Sequence, residues 1–455
     1  MKIKSIFYCI LFLQLLAGTI TVAQTWSDMA GGTSDWVFSS TIYNNDLIVG
    51  GKFTYAGGWS ANRVARWDGT SWHNLGTGLN GEADAMIVYN NKLIVGGKFT
   101  TAGSTNTNFL AKWNGTNWST LNGDMGSYVT SLAIYNGDLI IGGYFTDADG
   151  FPANYIVGYD GNNWFNLGSG MGGSQGQVMA LAVHNGELYA GGFFTSAGGA
   201  PASHIAKWNG SSWSAVGTGI SGIVYSLSSF NNRLIAGGLF LNAGGLPANH
   251  IAAWNDTSWS ALGAGVSGTF YQYVFAMTPY NGNLIAGGLF TTANGQTVNG
   301  IAKWDGASWT GMGGGVYYGG ANAFGVQTLC VYGPHLIAGG IFSSAGTLGT
   351  GNIAQWDESM AGLSDVPGVS GWKVYPNPFT DRIDLELETK EEGTLKIQLL
   401  SAEGRVVEVL QEETRVSAGR LQFSFQTPGL PAGFYVMECT VNGKTTNAKL
   451  ICQER

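Results

Sequence analysis

The octapeptide Leu-Ile-Val-Gly-Gly-Lys-Phe-Thr occurs twice without change, as residues 47–54 and 93–100. Its Gly-Gly pair recurs five more times at intervals of 46 to 52 residues. The seven pairs are Gly50-Gly51, Gly96-Gly97, Gly142-Gly143, Gly191-Gly192, Gly237-Gly238, Gly287-Gly288 and Gly339-Gly340. A period of this length indicates a repeat architecture in which each unit forms one small supersecondary structure.

A second phrase, Trp-Asp-Gly-x-x-Trp with small variations, lies between successive pairs. Its six complete copies span residues 67–72, 113–118, 159–164, 208–213, 254–259 and 304–309. The seventh copy begins at Trp356 and stops, while its missing half stands near the start of the chain as residues 25–32. A repeat that is divided between the two ends predicts a closed ring, in which the N-terminal segment supplies the last strand.

One unit reads as four antiparallel strands. Val129–Tyr135 alternates in polarity, the dipeptide Asn136-Gly137 is a strong hairpin signal, and residues 139–146 form the second strand. The third strand is Ile156–Tyr159 and the fourth begins at Trp164. We therefore predict an all-β fold: a seven-bladed β-propeller over residues 24–358, closed by the N-terminal strand.

A Gly-Gly pair weakens an isolated strand because it has no side chain to pack. Its repetition predicts that a bulky side chain lies against each pair, and the tryptophan of the third or fourth strand is the candidate.

The bulk composition excludes several classes of protein. The chain has 72 glycines, 13% aromatic residues and only 11% charged residues, where about 25% is usual. The net charge of −8 and the absence of a basic cluster argue against nucleic acid as a partner.

The N-terminus has the pattern of a secretory signal. Lys2 and Lys4 precede an apolar run over residues 6–16, and small residues lead to a cleavage site after Ala23. No other stretch approaches the ~20 apolar residues of a membrane helix. We expect residues 1–23 to be removed, and the mature chain to be exported as a monomer without a membrane span.

Beyond a linker over residues 359–371 the composition changes. Residues 372–455 hold 22 of the 50 charged residues, lose the repeat, and show short alternating strands that predict a small β-sandwich. A hairpin at Asn442-Gly443 places Cys439 opposite Thr446 and roughly 20 Å from Cys452, so no disulfide is expected.

Two resemblances follow from these motifs. The repeats of residues 24–358 resemble kelch-type and galactose-oxidase-central-domain propellers. The turn over residues 67–72 resembles the sialidase Asp-box, but Asp and Gly are adjacent here and Asn stands at Asn114, Asn209 and Asn255. We interpret it as a structural turn.

Residues 372–455 resemble the type A C-terminal sorting domain of type IX secretion cargo. The matching landmarks are Tyr375, Pro376, Asn377, Pro378, Gly404, Gly433 and Tyr435. The resemblance implies that the type IX machinery is a partner of this segment in a Bacteroidota-type cell. It also implies export across the outer membrane, through the periplasm, to a secreted or surface-attached state.

Aromatic residues mark a candidate binding face. In a propeller the loops after the second and fourth strands emerge on one face, and the last two blades neighbour the first. The candidates in these loops are Trp36, Trp59, Tyr271, Tyr273, Tyr317 and Tyr318. Aromatic platforms suit sugars and peptide side chains. The alternative is that these rings only plug the central channel.

Catalytic and metal-binding motifs are absent from the sequence. There is no nucleophile elbow, no H-E-x-x-H and no phosphate-binding loop. Asp147 and Asp149 are the candidate Ca²⁺ ligands, but a hard cation needs 6–8 oxygens, which favours a solvated turn and no cofactor.

The sequence therefore predicts a secreted or cell-surface protein that binds a glycan or protein without catalysis. An extracellular glycan hydrolase or lyase is the first alternative, with Glu82, Asp84, Asp147 and Asp149 as the available carboxylates. A structural or adhesive surface protein is the second.

Overall fold

The computed structural model describes residues 23–173, 176–268, 272–317, 325–359, 369–377, 379–401, 406–431 and 433–452. Every regular element in these residues is a β-strand. The described residues contain no helix that is long and apolar enough to cross a membrane. The predicted leader falls outside them except for Ala23. Contacts divide the chain into two compact units, Gln24–Asp357 and the strands from Glu358 onward.

The first unit contains seven four-stranded antiparallel sheets within the described residues, named sheets I to VII. In each sheet, the connection between the second and third strands contains a short two-stranded hairpin. The N-terminal strand is β1 (Ala23–Ser27). Sheet I contains β2 (Val37–Tyr43), β3 (Asp46–Gly51), β6 (Val64–Trp67) and β7 (Trp72–Asn74), with the hairpin β4 (Tyr55–Ala56) and β5 (Trp59–Ser60). Sheet II contains β8 (Ala83–Tyr89), β9 (Lys92–Gly97), β12 (Leu110–Trp113) and β13 (Trp118–Ser119), with β10 (Thr101–Ala102) and β11 (Thr105–Asn106). Sheet III contains β14 (Val129–Tyr135), β15 (Asp138–Gly143), β18 (Ile156–Tyr159) and β19 (Trp164–Phe165), with β16 (Asp147–Ala148) and β17 (Phe151–Pro152).

The remaining sheets repeat this plan, and three of their hairpins gain a short strand from the preceding connection. Sheet IV contains β21 (Gln177–His184), β22 (Glu187–Phe193), β25 (Ile205–Trp208) and β26 (Trp213–Ala215), with β20 (Met171–Gly172), β23 (Ser196–Ala197) and β24 (Ala200–Pro201). Sheet V contains β27 (Ile223–Phe230), β28 (Arg233–Leu239), β31 (Ile251–Trp254) and β32 (Trp259–Ala261), with β29 (Asn242–Ala243) and β30 (Leu246–Pro247). Sheet VI contains β34 (Tyr273–Tyr280), β35 (Asn283–Leu289), β38 (Ile301–Trp304) and β39 (Trp309–Gly311), with β33 (Val266–Ser267), β36 (Thr292–Ala293) and β37 (Gln296–Thr297). Sheet VII contains β41 (Gly325–Tyr332), β42 (His335–Ile341), β45 (Ile353–Ser359) and β1, with β40 (Val316–Tyr317), β43 (Ser344–Ala345) and β44 (Leu348–Gly349).

The unit parsed from the sequence corresponds closely to sheet III. The first and third strands, β14 and β18, have the predicted bounds, and the fourth begins at Trp164. Asn136 and Gly137 both have positive φ, 53° and 90°, as a two-residue type I′ turn requires. The second strand is shorter than predicted and ends at Gly143, because the chain then turns into the hairpin β16–β17.

The Gly-Gly pairs are close-approach sites, but the predicted tryptophan is not what approaches them. In six of the seven pairs, a side chain on the first glycine would overlap a valine that is the first or second residue of the first strand of the next sheet. These contacts are Gly96 with Val129, Gly142 with Val178, Gly191 with Val224, Gly237 with Val274, Gly287 with Val326 and Gly339 with Val37. The prediction that tryptophan covers the pairs is therefore wrong. The missing side chains let neighbouring sheets approach each other.

The tryptophans instead join each sheet to the preceding one. The two tryptophans of the repeated phrase pack against each other in a tilted arrangement, as in Trp113 and Trp118, whose ring centroids are 5.1 Å apart at an interplanar angle of 48°. The indole N–H of the second then donates to a backbone carbonyl of the preceding unit. These bonds are Trp72 to Met29, Trp118 to Leu75, Trp164 to Asn122, Trp213 to Leu167, Trp259 to Val216, Trp309 to Leu262 and Trp26 to Met312.

The two ends of the repeat region share sheet VII, because β1 pairs with β45. The rings of Trp26 and Trp356 lie 4.9 Å apart, and Trp26 Nε1 donates to the Met312 carbonyl at 3.1 Å. On the other side, β41 contacts β2, and the Ser40 and Thr328 hydroxyls are 2.7 Å apart. Sheet VII therefore contacts both sheet VI and sheet I.

The second unit consists of two sheets around one buried core. Its strands are β46 (Val369–Tyr375), β47 (Arg382–Thr389), β48 (Gly393–Ser401), β49 (Val406–Val416), β50 (Gly419–Gln426), β51 (Gly433–Val441) and β52 (Lys444–Cys452). One sheet has the order β46-β47-β50 and the other β49-β48-β51-β52. Side chains from both, such as Leu385 and Met437, are fully buried together. Cys439 pairs with Thr446, as predicted, and the cysteine is free.

The first prediction concerns β1. Replacing Trp26 by Ala removes a buried ring and its inter-sheet hydrogen bond, so we expect the free energy of unfolding to fall by about 3–5 kcal/mol. Urea unfolding followed by tryptophan fluorescence measures it. The control is Trp59→Ala, which removes a ring that is 74% exposed and should change stability by less than about 0.5 kcal/mol. Equal stability of the two variants would contradict the role of Trp26.

The second prediction concerns the Gly–Val contact. Gly96→Ala should destabilise the chain by about 1–3 kcal/mol, because the new methyl group overlaps the Val129 side chain. Val129→Ala makes room for the new methyl group. The double variant should therefore lose less stability than the sum of the losses in the two single variants. Gly349→Ala is the control, since no heavy atom lies within 4 Å of its Cβ position. Strict additivity would show that the two sites do not touch.

Candidate ligand-binding site on the inner rim

Every first strand contains a β-bulge near its start. In sheet III, for example, Val129 pairs with Gly143 and Ser131 with Gly142, so one residue is left over between them. The extra residues in the seven sheets are Phe38, Asp84, Thr130, Met179, Tyr225, Phe275 and Gln327. A bulge interrupts the pairing and redirects the side chain of the extra residue, and bulges are common beside functional sites.

Three positions in each sheet surround this bulge, and together we call them the inner rim. They are the bulge residue, the residue two before it, and the residue that follows the Gly-Gly pair. In order from sheet I they are Trp36, Phe38 and Lys52; Glu82, Asp84 and Lys98; Tyr128, Thr130 and Tyr144; Gln177, Met179 and Phe193; Ile223, Tyr225 and Leu239; Tyr273, Phe275 and Leu289; and Gly325, Gln327 and Ile341. The scaffold glycines and tryptophans repeat almost unchanged, whereas the rim residues differ from sheet to sheet.

The charged residues of the rim lie in sheets I and II. Lys98 Nζ is 2.7 Å from Glu82 Oε2 and 3.6 Å from Asp84 Oδ2, so two carboxylates face one ammonium group. Lys52 Nζ lies 4.4 Å from the centroid of the Trp36 ring, in a cation–π contact. Each rim cation is thus already engaged within the rim.

Asp84 is the most perturbed carboxyl of this group. Burial raises the pKa of Asp84 to about 6, Lys98 opposes the shift, and repulsion from Glu82 adds to it. Burial also disfavours the charge on Lys98, but Asp84 and Glu82 outweigh it and leave the pKa of Lys98 raised. Perturbed carboxyl groups of this kind are concentrated at functional sites.

Aromatic rings make up much of the rest of the rim. Tyr273 and Phe275 stack with centroids 5.0 Å apart and an interplanar angle of 9°, and Tyr225 meets both edge-on. The Tyr144 hydroxyl donates to Met179 Sδ at 3.7 Å. These side chains are only partly buried, so parts of their rings face solvent.

The structure places the predicted aromatic candidates in different settings. Trp36 and Tyr273 belong to the rim. Trp59 lies on the hairpin β4–β5 with 74% of its surface exposed, and Tyr317 lies in β40 with 43% exposed. Tyr271 and Tyr318 lie outside the described residues. The other rim aromatics were missed, because the bulge that brings them together is not visible in one repeat alone.

The predicted acidic pair sits on the hairpin β16–β17. Asp147 Oδ1 accepts from the Gly150 amide at 3.4 Å, and Asp149 occupies a turn position with φ of 51°. In the described ranges no group of three or more His, Cys, Asp or Glu side chains could hold a metal ion. The local bonds fit the turn interpretation.

The sorting-motif residues take structural positions in the second unit. The Tyr375 hydroxyl donates to Glu386 Oε1 at 2.9 Å, and the peptide bond to Pro376 is cis. The Tyr435 hydroxyl donates to the Pro431 carbonyl at 2.8 Å. Asn377 follows β46 and Gly433 opens β51, while Pro378 and Gly404 lie outside the described residues.

Comparison with known families identifies both parts of the chain. Residues 37–183 match the Rax2 C-terminal beta propeller domain, and residues 373–453 match the secretion system C-terminal sorting domain. The chain therefore carries a β-propeller domain and a type IX secretion sorting domain. The sorting domain implies interaction with the type IX machinery and export to the cell surface or outside. No curated protein matches the chain.

Two solved structures show distant similarity. A structural genomics protein of unknown function from Bacteroides thetaiotaomicron is 12% identical with a TM-score of 0.38, and the alignment covers 73% of this chain and 72% of that one. A glycoside hydrolase family 43 arabinoxylan arabinofuranohydrolase from Bacillus subtilis, in complex with cellotetraose, is 11% identical with a TM-score of 0.25. Its alignment covers 93% of this chain and 96% of that one.

The third prediction concerns Asp84. Since its pKa is raised in the folded state, the folded chain binds the proton more tightly than the unfolded chain does, and stability falls as the pH rises from about 4 to 6. Asp84→Asn should therefore raise the free energy of unfolding by about 2–3 kcal/mol at pH 8 and change it little at pH 4.

Urea unfolding followed by tryptophan fluorescence tests this, because 15 of the 16 tryptophans precede Trp372. The control is Glu82→Gln, which removes a partly exposed ion pair and should cost no more than about 1 kcal/mol. A less stable Asp84→Asn variant at pH 8 would contradict the prediction.

Proposed function

We propose that the first unit is a closed seven-bladed β-propeller that binds a neutral glycan on its inner rim without catalysis. The seven four-stranded sheets support the blade count. The contacts of sheet VII with sheets VI and I support closure. The repeated Gly-Gly and tryptophan pattern supports a kelch-like or galactose-oxidase-like subtype.

The proposal keeps the domain boundaries expected from the sequence: a leader over residues 1–23, the propeller over 24–358, a linker over 359–371 and the sorting domain over 372–455. The division of contacts near Asp357 supports the main boundary. On this view the mature chain is a monomer that a Bacteroidota-type cell delivers to its surface or releases.

One observation carries the binding role: a constant scaffold presents a variable rim in which eight of the 21 positions are aromatic. Rings such as Tyr128, which is 40% exposed, offer flat apolar surfaces, and their hydroxyl groups can donate and accept hydrogen bonds. The rim cations are already engaged by Glu82, Asp84 and Trp36, so an ionic partner gains little there. A neutral ligand that is rich in hydroxyl groups fits this surface best.

The other aromatic candidates remain part of the proposal. Trp59 lies on the hairpin β4–β5 and Tyr317 lies on β40 beside the hairpin β43–β44; both are outside the rim, where they would extend the surface for a long ligand. Tyr271 and Tyr318 are proposed as further contacts on sequence grounds alone.

A glycan hydrolase is the second candidate, because Glu82 and Asp84 converge on Lys98 and a carboxylic acid with a pKa of about 6 suits a general acid. The release of new reducing ends from bound oligosaccharides separates the two functions. If the wild type releases reducing ends and neither Glu82→Gln nor Asp84→Asn does, the hydrolase is favoured.

The fourth prediction tests the aromatic part of the rim. Tyr225→Ala and Tyr273→Ala should each weaken binding of glycans by about tenfold, since loss of a central aromatic contact commonly costs more than 1 kcal/mol. A glycan array with the mature chain identifies binders, and calorimetry measures the change.

The matched control is Val183→Ala, which removes an exposed apolar side chain from β21 at the end far from its bulge. Thermal melts verify that each variant is folded. Unchanged affinity in both tyrosine variants, or weakening by the control alone, would refute the rim as the binding surface.

A further inference from the structure

We infer that Glu82, Asp84 and Lys98 form the polar subsite of the rim, where Asp84 accepts hydrogen bonds from two neighbouring hydroxyl groups of a sugar ring. This inference rests on the proposed function and assigns the subsite that would fix the orientation of the glycan.

The carboxylate of Asp84 has too few partners for its burial. Its side chain is 14% exposed, and among the described residues its recorded polar contact is Lys98 Nζ at 3.6 Å, longer than a good charge-assisted hydrogen bond. An ionised carboxylate offers about four acceptor positions. A buried polar group with few protein partners is an exception that calls for an explanation, and the explanation we infer here is a ligand.

Lys98 satisfies Asp84 only in part, because it also pairs with Glu82 at a shorter distance. The Lys98 ammonium lies 2.7 Å from Glu82 Oε2, and the Lys98 amide donates to the Glu82 carbonyl at 2.8 Å. Together, the two contacts hold the backbone amide and the side-chain ammonium group of Lys98 against the same residue, Glu82. The acceptor positions of Asp84 that face away from Lys98 remain available.

The charges of this cluster select the class of ligand. The two carboxylates would repel an anion. The ammonium group of Lys98 would repel a cation unless the cation displaced it. A neutral ligand with hydrogen-bond donors avoids both penalties and supplies what Asp84 lacks. Vicinal hydroxyl groups of a pyranose are donors at the spacing of one carboxylate.

An aromatic platform lies beside the cluster. The Tyr128 ring centroid is 5.9 Å from Lys98 Nζ, and the ring is held edge-on by Phe109 at 5.3 Å and Tyr144 at 6.3 Å. Tyr128 is nevertheless 40% exposed. A sugar ring stacked on Tyr128 would bring its hydroxyl edge toward the polar groups of sheet II.

The subsite should respond to pH. The titratable groups that face Asp84 are Glu82 and Lys98 from its own sheet and the Tyr144 phenol from sheet III. Ionised Asp84 accepts two hydrogen bonds, whereas protonation turns one of its oxygens into a donor. Binding should therefore weaken as the pH falls through about 6.

The fifth prediction is a pH profile of binding. The probes are the neutral hexasaccharides of the cellulose, xylan, mannan and starch series, titrated by calorimetry into the mature chain at pH 8 and pH 5. Wild-type affinity for the bound series should fall about tenfold at pH 5. Asp84→Asn should bind about tenfold more weakly at pH 8 and lose this pH dependence.

Two further variants separate recognition from packing. Tyr128→Ala should weaken binding at both pH values, and Tyr128→Phe, which keeps the ring, should restore most of it. Val183→Ala should reproduce the wild-type profile. An Asp84→Asn variant with wild-type affinity and pH dependence would overturn this inference while leaving glycan binding intact. Failure of all four series to bind wild type would overturn the proposed function itself.

Discussion

The fold depends on one repeated interface between neighbouring sheets. On one side, a valine fills the space left by a glycine of the preceding sheet; on the other, an indole N–H donates to a carbonyl of that sheet. Burying Val129 and Trp118 in this way covers sheet faces that a single four-stranded sheet would expose to water. Repeat proteins gain stability from such nearest-neighbour interfaces rather than from the isolated unit. Because sheet VII uses β1 as its outer strand, Trp26 extends the same interface to the last sheet.

The same interface determines where functional residues can lie. Glycine at the first position of the pair brings the first strands close together, and the second glycine lies against a backbone carbonyl of its own sheet, such as Gly97 against Glu82. The bulge lies beside these contacts and places one residue outside the regular strand pairing, where its side chain meets rim residues of the neighbouring sheet, as Tyr225 meets Tyr273. Asp84, Tyr225 and Phe275 occupy this position, and none of them fills the space beside a Gly-Gly pair. Scaffold and rim are therefore separated along a single strand.

The sequence was informative where the deciding interactions are local. Alternation, the Asn136-Gly137 turn and the hairpin register predicted β14, β18 and the pairing of Cys439 with Thr446. It was misleading about the Gly-Gly pairs, because their partner is a valine about 33 residues away in the next unit, such as Val129 for Gly96. The bulges also escaped prediction, since they depend on the register between two strands. Of the candidate site, Trp36 and Tyr273 were predicted, whereas the convergence of Glu82 and Asp84 on Lys98 needed coordinates.

A second polar cluster lies at scaffold positions between sheets IV and V and differs from the cluster around Asp84. In most sheets the first strand ends in a tyrosine that lies over a turn glycine of the next sheet, as Tyr89 does over Gly161. Between sheets IV and V both partners differ: His184 replaces the tyrosine, and Asp256 replaces the glycine at a φ of 69°. His184 Nδ1 contacts the Ser229 hydroxyl at 2.9 Å, and Asp256 accepts from the Asn185 amide at 2.8 Å.

The two changes thus occur together: Ser229 engages Nδ1 of His184 and Asn185 engages Asp256, while His184 Nε2 is 3.8 Å from Asp256 Oδ1. Asp84 is compensated only in part, since it shares Lys98 with Glu82 and burial outweighs the attraction of the ammonium group. A pair of matched changes at a scaffold position maintains an interface, whereas a buried carboxylate at a variable position, sharing one ammonium group with a second carboxylate, is what leads us to propose a ligand there. This difference, rather than the mere presence of titratable groups, is the physical reason to propose a binding site at the rim.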